Sequence, residues 1–535
     1  MLASIVTLLF ALALQTIEGK PDVQKRVYQM MAKQSNGVVL VTFRPTDLAA
    51  AEDPERMLKL ARLQKRILDI PIKEFVATGT YHQQRGRYVF EKVTEHHRLT
   101  EKHLKNLLPG VKISSSIPIS NSFLITVNDA QLGKLLNDPE VVEIHTNEPF
   151  HVALPTIKMD KAMPSKSVVI PHRLVKVVEE RQEIIQWNVG KIGADRVWTM
   201  GGPRSRGQGI VYAIADTGVA YQHPNIFINY LGRRTDGSIN HNYAWYDGVR
   251  REVAQEGEMK CPIGSPVPCD DQGHGTHVTS TAVGGDGFGV APGARWMACR
   301  NMDRGVGSPE TYLNCLNFFL APHDLQGGNA RPDLRPHVVG NSYGCPDSEG
   351  CSKHAMTAAM EALRAAGVFM SVSAGNEGPR CGTISDPPAL EKSVISVAAT
   401  DVNDNLADFS SRGPCSVAGT AYRKPDVSAP GVRVLAAYPG DGYRVLSGTS
   451  MASPHVGGAV ALISAMCPCL LRNVDAIQDL LQSTALPLFP PKGQVLCGID
   501  EANSVPNNHF GYGRINVLAA VKKCRAICAG QSSRM

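Results

Sequence analysis

The sequence predicts an α/β protein, a parallel sheet covered by helices on both faces and preceded by a smaller α+β unit. Three observations predict it. From Gly209 to about Lys523, short runs dense in Val, Ile and Ala alternate with helical segments, the pattern of parallel strands buried on both sides. Between residues 37 and 150, strands and helices follow one another approximately as a split β-α-β unit. All thirteen cysteines lie between Cys261 and Cys528, so a cysteine-free leader precedes a cysteine-rich region.

The chain opens with MLASIVTLLFALALQTIEGK, whose apolar run from Leu2 to Leu14 is followed by small and polar residues. That is the layout of a secretory signal, and the run falls short of the ~20 residues needed to span a bilayer. Cleavage is expected between Ala13 and Gly19, and no membrane anchor is expected. In the leader, GVVLVTF reads as a buried strand, DPERMLKLARLQKRIL as a helix, and SNSFLITVN as a strand. DAQLGKLLN follows as a helix opened by an Asp cap, then EVVEIHTNEP as the last strand. Prolines at 155, 164 and 171 then mark a linker. The expected organisation is a signal over 1–19, a leader unit over 20–150, a linker over 151–186, a main unit over 187–523 and a short tail over 524–535.

Charge and cysteine usage narrow the function classes. The net charge of +6 arises in the leader, with 25 Lys and Arg against 19 Asp and Glu from 20 to 186. From Trp187 onward the balance is 30 against 29, and the basic residues carry no aromatic interleaving, which argues against nucleic acid. Thirteen cysteines behind an export signal imply disulfides in an extracellular protein, with one thiol left over. Cys467-Pro-Cys469 lacks the spacing of a metal or redox pair, and Gly207-Gln-Gly209 precedes its strand rather than following it, so neither marks a cofactor site.

Four residues carry chemistry together. Asp216 ends the strand IVYAIAD. His274 lies between two glycines in DDQGHGTHVTSTAVGG, where the backbone turns into a small-residue helix. Asn376 ends VFMSVSAGN, and Ser450 opens a helix after Gly448, a residue expected to permit an unusual backbone. Pro454 is read as early in that helix, where its missing N–H costs least. Amide hydrolysis needs a nucleophile, a base to carry its proton, a carboxylate to orient the base, and donors for the oxyanion. One residue of each kind sits at a strand end or helix start of one sheet, where such sheets place reactive groups.

DTG at 216, HGTHV at 274, SAGNEG at 373 and GTSMASPHV at 448 resemble the signature blocks of the subtilisin-like serine proteases. GVAPGA at 289, NSYG at 341, FSSRGP at 409, KPDVSAPG at 424 and GYGRINVLAAV at 511 extend the resemblance over about 187–523. It implies Ser450 as nucleophile, His274 as general base and acid, Asp216 as its orienting partner, and Asn376 with the Ser450 N–H as the oxyanion hole. SNSFLITVNDAQLGKLLNDPEVVEIHTNEP resembles the end of the family's inhibitor propeptide, a small ferredoxin-like domain. The leader would then be a folding helper and inhibitor, and the chain a zymogen cut within 151–186. Seven of the sixteen histidines lie in this N-terminal region.

The resemblance further implies a protein or peptide substrate added as a strand between Asp303–Gly307, with Gly305 and Gly307, and the segment Ser342, Tyr343 and Gly344. Ser373, Ala374 and Gly375 would line the P1 pocket. Asp386 would lie near its floor and favour Arg or Lys, with Lys166, Arg173, Lys176 and Arg181 as self-cleavage sites. Two departures stand out. Asp216 and His274 are 58 positions apart, the excess carrying Cys261 and Cys269 as a candidate pair, and AVGGDGFGVAP lacks the loop that holds calcium in many members. No cofactor is expected, and the sequence does not support a structural calcium. The reading is a secreted, monomeric serine endopeptidase. The alternative, a catalytically silent binding protein on the same fold, would have lost one of the four residues.

Overall fold

The computed structural model describes residues 22–34, 36–52, 57, 80–147, 150–151, 184–251, 261–345, 351, 353–417, 420–440, 442–491, 496–498 and 503–532. The signal-like run, all but one residue of the helix expected over 53–68, and the linker from 152 to 183 with Lys166, Arg173, Lys176 and Arg181 lie outside them.

The leader unit contains β1 (Asp22–Val23), α1 (Lys25–Met31), β2 (Asn36–Phe43), α2 (Thr80–Leu107), β3 (Lys112–Ile117), β4 (Ser122–Asn128), α3 (Asp129–Leu136), β5 (Val141–Thr146) and β6 (Phe150–His151). Its sheet runs β1-β5-β2-β4-β3. β1 joins in parallel and the other neighbours are antiparallel. Apart from β1, this is the order of a split β-α-β fold. The cap of α3 is Asn128 rather than Asp129, because Asn128 Oδ1 accepts from Gln131 N at 2.9 Å while Gln131 Oε1 accepts from Asn128 N at 3.0 Å.

The main unit is built on a seven-stranded sheet. In chain order its elements include β7 (Val211–Asp216), β8 (Trp245–Asp247), α4 (His274–Val283), β9 (Arg295–Arg300), β10 (Met302–Asp303), β11 (Val306–Gly307), α5 (Pro309–Leu320), β12 (Val338–Asn341) and α6 (Lys353–Ala365). β13 (Phe369–Ser373), β14 (Ile395–Thr400), β15 (Val427–Pro430), β16 (Val434–Tyr438), β17 (Gly442–Leu446), α7 (Thr449–Met466) and α8 (Val517–Ser532) follow. The sheet order is β15-β14-β13-β12-β7-β9-β8, every neighbouring pair parallel. Alternate side chains of β7 feed two cores. Tyr212 and Ile214 pack with α4, α7 and α8, whereas Ala213 and Ala215 pack with α5 and α6.

α8 runs through the expected boundary at 523, and Cys524 and Cys528 are disulfide-bonded to Cys467 and Cys469. Four more bridges join Cys261–Cys269, Cys299–Cys315, Cys345–Cys351 and Cys381–Cys497. The thirteenth cysteine, Cys415, is a buried thiol.

The leader docks on α5 and α6. Ile119 N donates to Asn317 Oδ1 at 3.3 Å, and Asn147 Oδ1 accepts from Glu310 N at 3.1 Å in the first turn of α5. At the start of α6, Glu143 Oε2 accepts from His354 N at 3.2 Å, placing a carboxylate where the helix end is positive. At the other end Arg85 donates to the carbonyls of Ala365 and Arg364. Beyond these, β6 adds antiparallel to β11, pairing Gly307 with Phe150 and Val306 with His151.

Candidate active site

Asp216 closes β7 at the carboxyl rim of the sheet and is fully buried. Its Oδ1 accepts from Thr217 N and from His274 Nδ1, both at 2.8 Å. His274 is the first residue of α4 and only 2% exposed. With Nδ1–H given to the carboxylate, Nε2 is the basic nitrogen, and it makes no hydrogen bond among the described residues. Two glycines allow this approach. Gly273 is left-handed (φ 99°) and a Cβ there would lie 2.2 Å from the Tyr438 ring, while a Cβ on Gly275 would lie 2.0 Å from Gly218 O.

Ser450 is the second residue of α7 and 2% exposed. Its Oγ donates to Ser342 O at 3.1 Å, and Ser342 Oγ donates to Ser450 O at 3.2 Å. The second bond answers Pro454, which is the sixth residue of the helix and so lies inside it. Without an N–H, Pro454 leaves the carbonyl four residues back unpaired, and Ser342 supplies the donor. Gly448 is extended (φ 166°, ψ 161°) rather than unusual, and its N–H donates to Gly431 O at 2.8 Å.

Asn376 is oriented by Thr449, whose N and Oγ1 donate to its Oδ1 at 2.9 and 3.0 Å. The Nδ2 edge therefore faces away from Thr449, at the helix end where the Ser450 N–H has no intrahelical acceptor. Thr449 Oγ1 also meets Gly375 N and O at 3.2 Å, tying the Ser373–Gly375 segment to the same helix start. The structure thus gathers Asp216, His274, Asn376, Ser450, Ser342 and Gly375 around the starts of α4 and α7.

Gly305 (φ 85°) sits in the turn of the β10–β11 hairpin, and a Cβ on Gly307 would lie 2.2 Å from the Tyr312 hydroxyl. Tyr312 in turn stacks on Tyr343, centroids 4.5 Å apart, so one aromatic pair links the hairpin to the segment that also holds Ser342 and Gly344. Burial, with the Asp216 charge nearby, holds the Tyr343 hydroxyl well above the usual phenol range. Burial also lowers His277 to about 3, assisted by His274, so it stays a neutral structural ring.

Asp386 is half-buried in a turn, where Ser385 Oγ donates to its Oδ1 at 2.9 Å and its carbonyl accepts from Leu390 N. Glu377 is a carboxylate beside Gly375, since a Cβ on Gly375 would lie 2.5 Å from Glu377 Oε2. Ser342's hydroxyl, Thr449 and Glu377 are the partners that motif reading missed. Only the pairing of Pro454 with Ser450 four residues earlier signalled the first. Among the described residues, no group of three or more His, Cys, Asp or Glu is arranged to hold a metal ion.

Comparison with known sequences decides the family, because the profile of the Subtilase family matches residues 207–513. The chain belongs to the subtilase family. By family it is a subtilisin-like serine endopeptidase, and that chemistry requires no catalytic cofactor. This subtilase is 31% identical to Bacillopeptidase F of Bacillus subtilis (strain 168) over 512 residues, covering 91% of the chain and 31% of that relative's length. It is 29% identical to the alkaline protease of Alkalihalobacillus alcalophilus over 399 residues, 72% of the chain and 84% of the relative. Against Subtilisin-like protease 7 of Trichophyton equinum it is 32% identical over 292 residues, 54% of the chain and 61% of the relative. The chain therefore spans under a third of Bacillopeptidase F but most of the alkaline protease.

Proposed function

We propose that this subtilase is a secreted, monomeric endopeptidase that cleaves proteins or peptides through Asp216, His274 and Ser450, and that it is made as a zymogen. His274 Nε2 takes the Ser450 hydroxyl proton as Oγ bonds to the scissile carbonyl carbon. The resulting oxyanion is held by Asn376 Nδ2 and the Ser450 N–H. The C–N bond then breaks as His274 returns the proton to the leaving amine, and water hydrolyses the acyl-enzyme by the same steps. Asp216 stays ionised and holds the imidazolium. Because Ser450 Oγ donates to Ser342 O in this structure, attack requires the hydroxyl to swing toward Nε2.

The buried Asp216–His274 hydrogen bond at the sheet rim carries the catalytic reading. The zymogen reading is supported by β6, which occupies the edge of β11 that a substrate strand would use. Six disulfides fit an oxidising destination, and no described helix is long and apolar enough to cross a membrane. Unit boundaries follow, with the leader over 20–150 as inhibitor and folding helper, a maturation cut within 151–186, and the main unit from 187.

Expressing the full chain and Ser450→Ala, sequencing both N-termini and adding a fluorophosphonate probe tests this. Wild type is expected to label and shed its leader. A wild type that does neither is the silent binding protein, and a Ser450→Ala chain that matures alone excludes self-processing. P1 preference is read by a substrate scan of Asp386→Ala and Glu377→Gln. Whichever variant loses preference for Arg or Lys holds the pocket charge, and loss in neither removes the basic preference.

A further inference from the structure

The loop that delivers His274 carries two adjacent buried carboxylates that the four-residue constellation does not use. Asp270 receives five hydrogen bonds. Its Oδ1 accepts from Thr217 Oγ1 at 2.8 Å, Gln272 N at 3.1 Å and Gly273 N at 2.7 Å. Its Oδ2 accepts from Thr276 N at 2.9 Å and Thr276 Oγ1 at 2.5 Å. The residues engaged are Thr217, next to Asp216, and both flanks of His274. Thr217 Oγ1 passes the link on by accepting from Gly275 N at 3.0 Å. Gly273, the N-cap of α4, has no side chain to cap the helix, and Asp270 supplies both the missing acceptors and a negative charge at that end.

Asp271 points the other way. Its Oδ1 accepts from Arg304 N at 2.8 Å in the turn of the β10–β11 hairpin, and its Oδ2 pairs with Arg300 Nη1 at 2.7 Å. Arg300 is fully buried and also grips Asp247 with two bonds, at 3.1 and 3.0 Å. The backbone of the substrate-edge hairpin is therefore hung from a charge network rooted in the sheet. Such buried ionic networks stabilise little by themselves but fix geometry when every member is paired.

We propose that Asp270 and Asp271 are positioning residues with separate duties, Asp270 keeping His274 in register with Asp216 and Asp271 keeping the hairpin Met302–Gly307 in register with the same loop. This rests on the triad and substrate-edge reading above. An isosteric Asn at either position exchanges an acceptor oxygen for a donor that opposes N–H groups already aimed at it.

Asp270→Asn and Asp271→Asn full chains, matured by a trace of wild-type enzyme, separate the two duties. Fluorophosphonate labelling rate reports Ser450 and His274 without needing the peptide edge, and kcat and KM on a fluorogenic tetrapeptide report both. Asp270→Asn is expected to slow labelling and lower kcat by on the order of 10- to 100-fold, shift the acidic limb of the pH–rate profile, and leave KM within about threefold. Asp271→Asn is expected to raise KM about tenfold or more while labelling stays within about threefold. If Asp270→Asn does not fold, Thr217→Val, which cuts the relay to Gly275, takes its place with the same expected slowing, and Thr217→Ser is expected to restore it. Parallel losses in both variants, or unchanged parameters in both, overturn the division of duties. Failure of the triad reading looks different, because Ser450→Ala would then still label.

Discussion

The leader and the main unit bury themselves in different ways. The main unit closes its own cores, with all six disulfides inside it and both faces of its sheet covered by its own helices. The leader has one core of its own, formed by residues such as Val39, Val41, Phe123, Ile125 and Leu135. Its other apolar set, including Leu40, Val89, Val93, Ile119 and Leu124, shares a cluster with α5 and α6. Part of what orders the leader is thus the surface it covers. A segment built this way loses part of its apolar contacts once separated.

Acid gives the largest expected separation of the two. Burial lowers His82 to about 3, with Arg85, Arg472 and Arg335 adding to the effect. It lowers His97 to about 4, where His96 adds to the shift and Asn121 and Glu101 oppose it. The folded leader holds both rings neutral, while the unfolded chain binds protons near pH 6.5. Their contribution is therefore complete above about 6.5 and lost as pH falls toward 3, about 3–5 kcal/mol for each ring. His277 and His455 in the main unit shift in the same direction, to about 3 and about 4, but within a cross-linked structure. All four tryptophans lie in the main unit. In Ser450→Ala, far-UV circular dichroism is expected to change at a higher pH than tryptophan fluorescence. Coincident transitions would make the two units one cooperative body.

Cross-linking gives the next effect. Cys381–Cys497 spans 116 residues, and replacing both by Ser is expected to cost about 4–5 kcal/mol by the chain-entropy argument. Thermal unfolding followed by tryptophan should move down while leader contacts, followed by hydrogen exchange in α2, stay unchanged. Asn376→Ala is expected to lower kcat by about 10²- to 10³-fold, the size known for the equivalent donor in subtilisin, with little change in thermal unfolding. Parallel loss of stability would reassign Asn376 to structure. The smallest effect is expected at Cys415, whose thiol burial pushes up to about 12 and which meets Ile384 O at 3.0 Å. It should resist iodoacetamide at neutral pH until the chain unfolds, and Cys415→Ser should cost only about 1 kcal/mol.

The parallel strands were legible because burial on both faces demands unbroken apolar runs, as in VYAIAD and ISVAAT. The long helix α2 was not. Its buried stripe runs through Tyr81, Arg85, Val89, Val93, His97, Thr100 and Leu104, and it includes Arg85 and His97, whose partners lie on distant segments. His97 bonds to Asn121 and Ser116 and stacks on Phe123, so a histidine does the work of a core residue. β3, KISSSI, hid for a related reason, since only Ile117 in it is fully buried.

By itself the sequence determined the fold class, because strand burial and helix starts are local patterns written in consecutive residues, and it offered four polar residues as candidates for one rim. Tertiary structure alone decided how those residues are held. Ser342 satisfies the carbonyl freed by Pro454, Thr449 turns Asn376, and Asp270 draws Thr217 and the flanks of His274 onto one carboxylate. Each joins segments 50 or more residues apart. Hydrogen-bond partners at that separation are chosen by folding geometry, and no spacing along the chain encodes them.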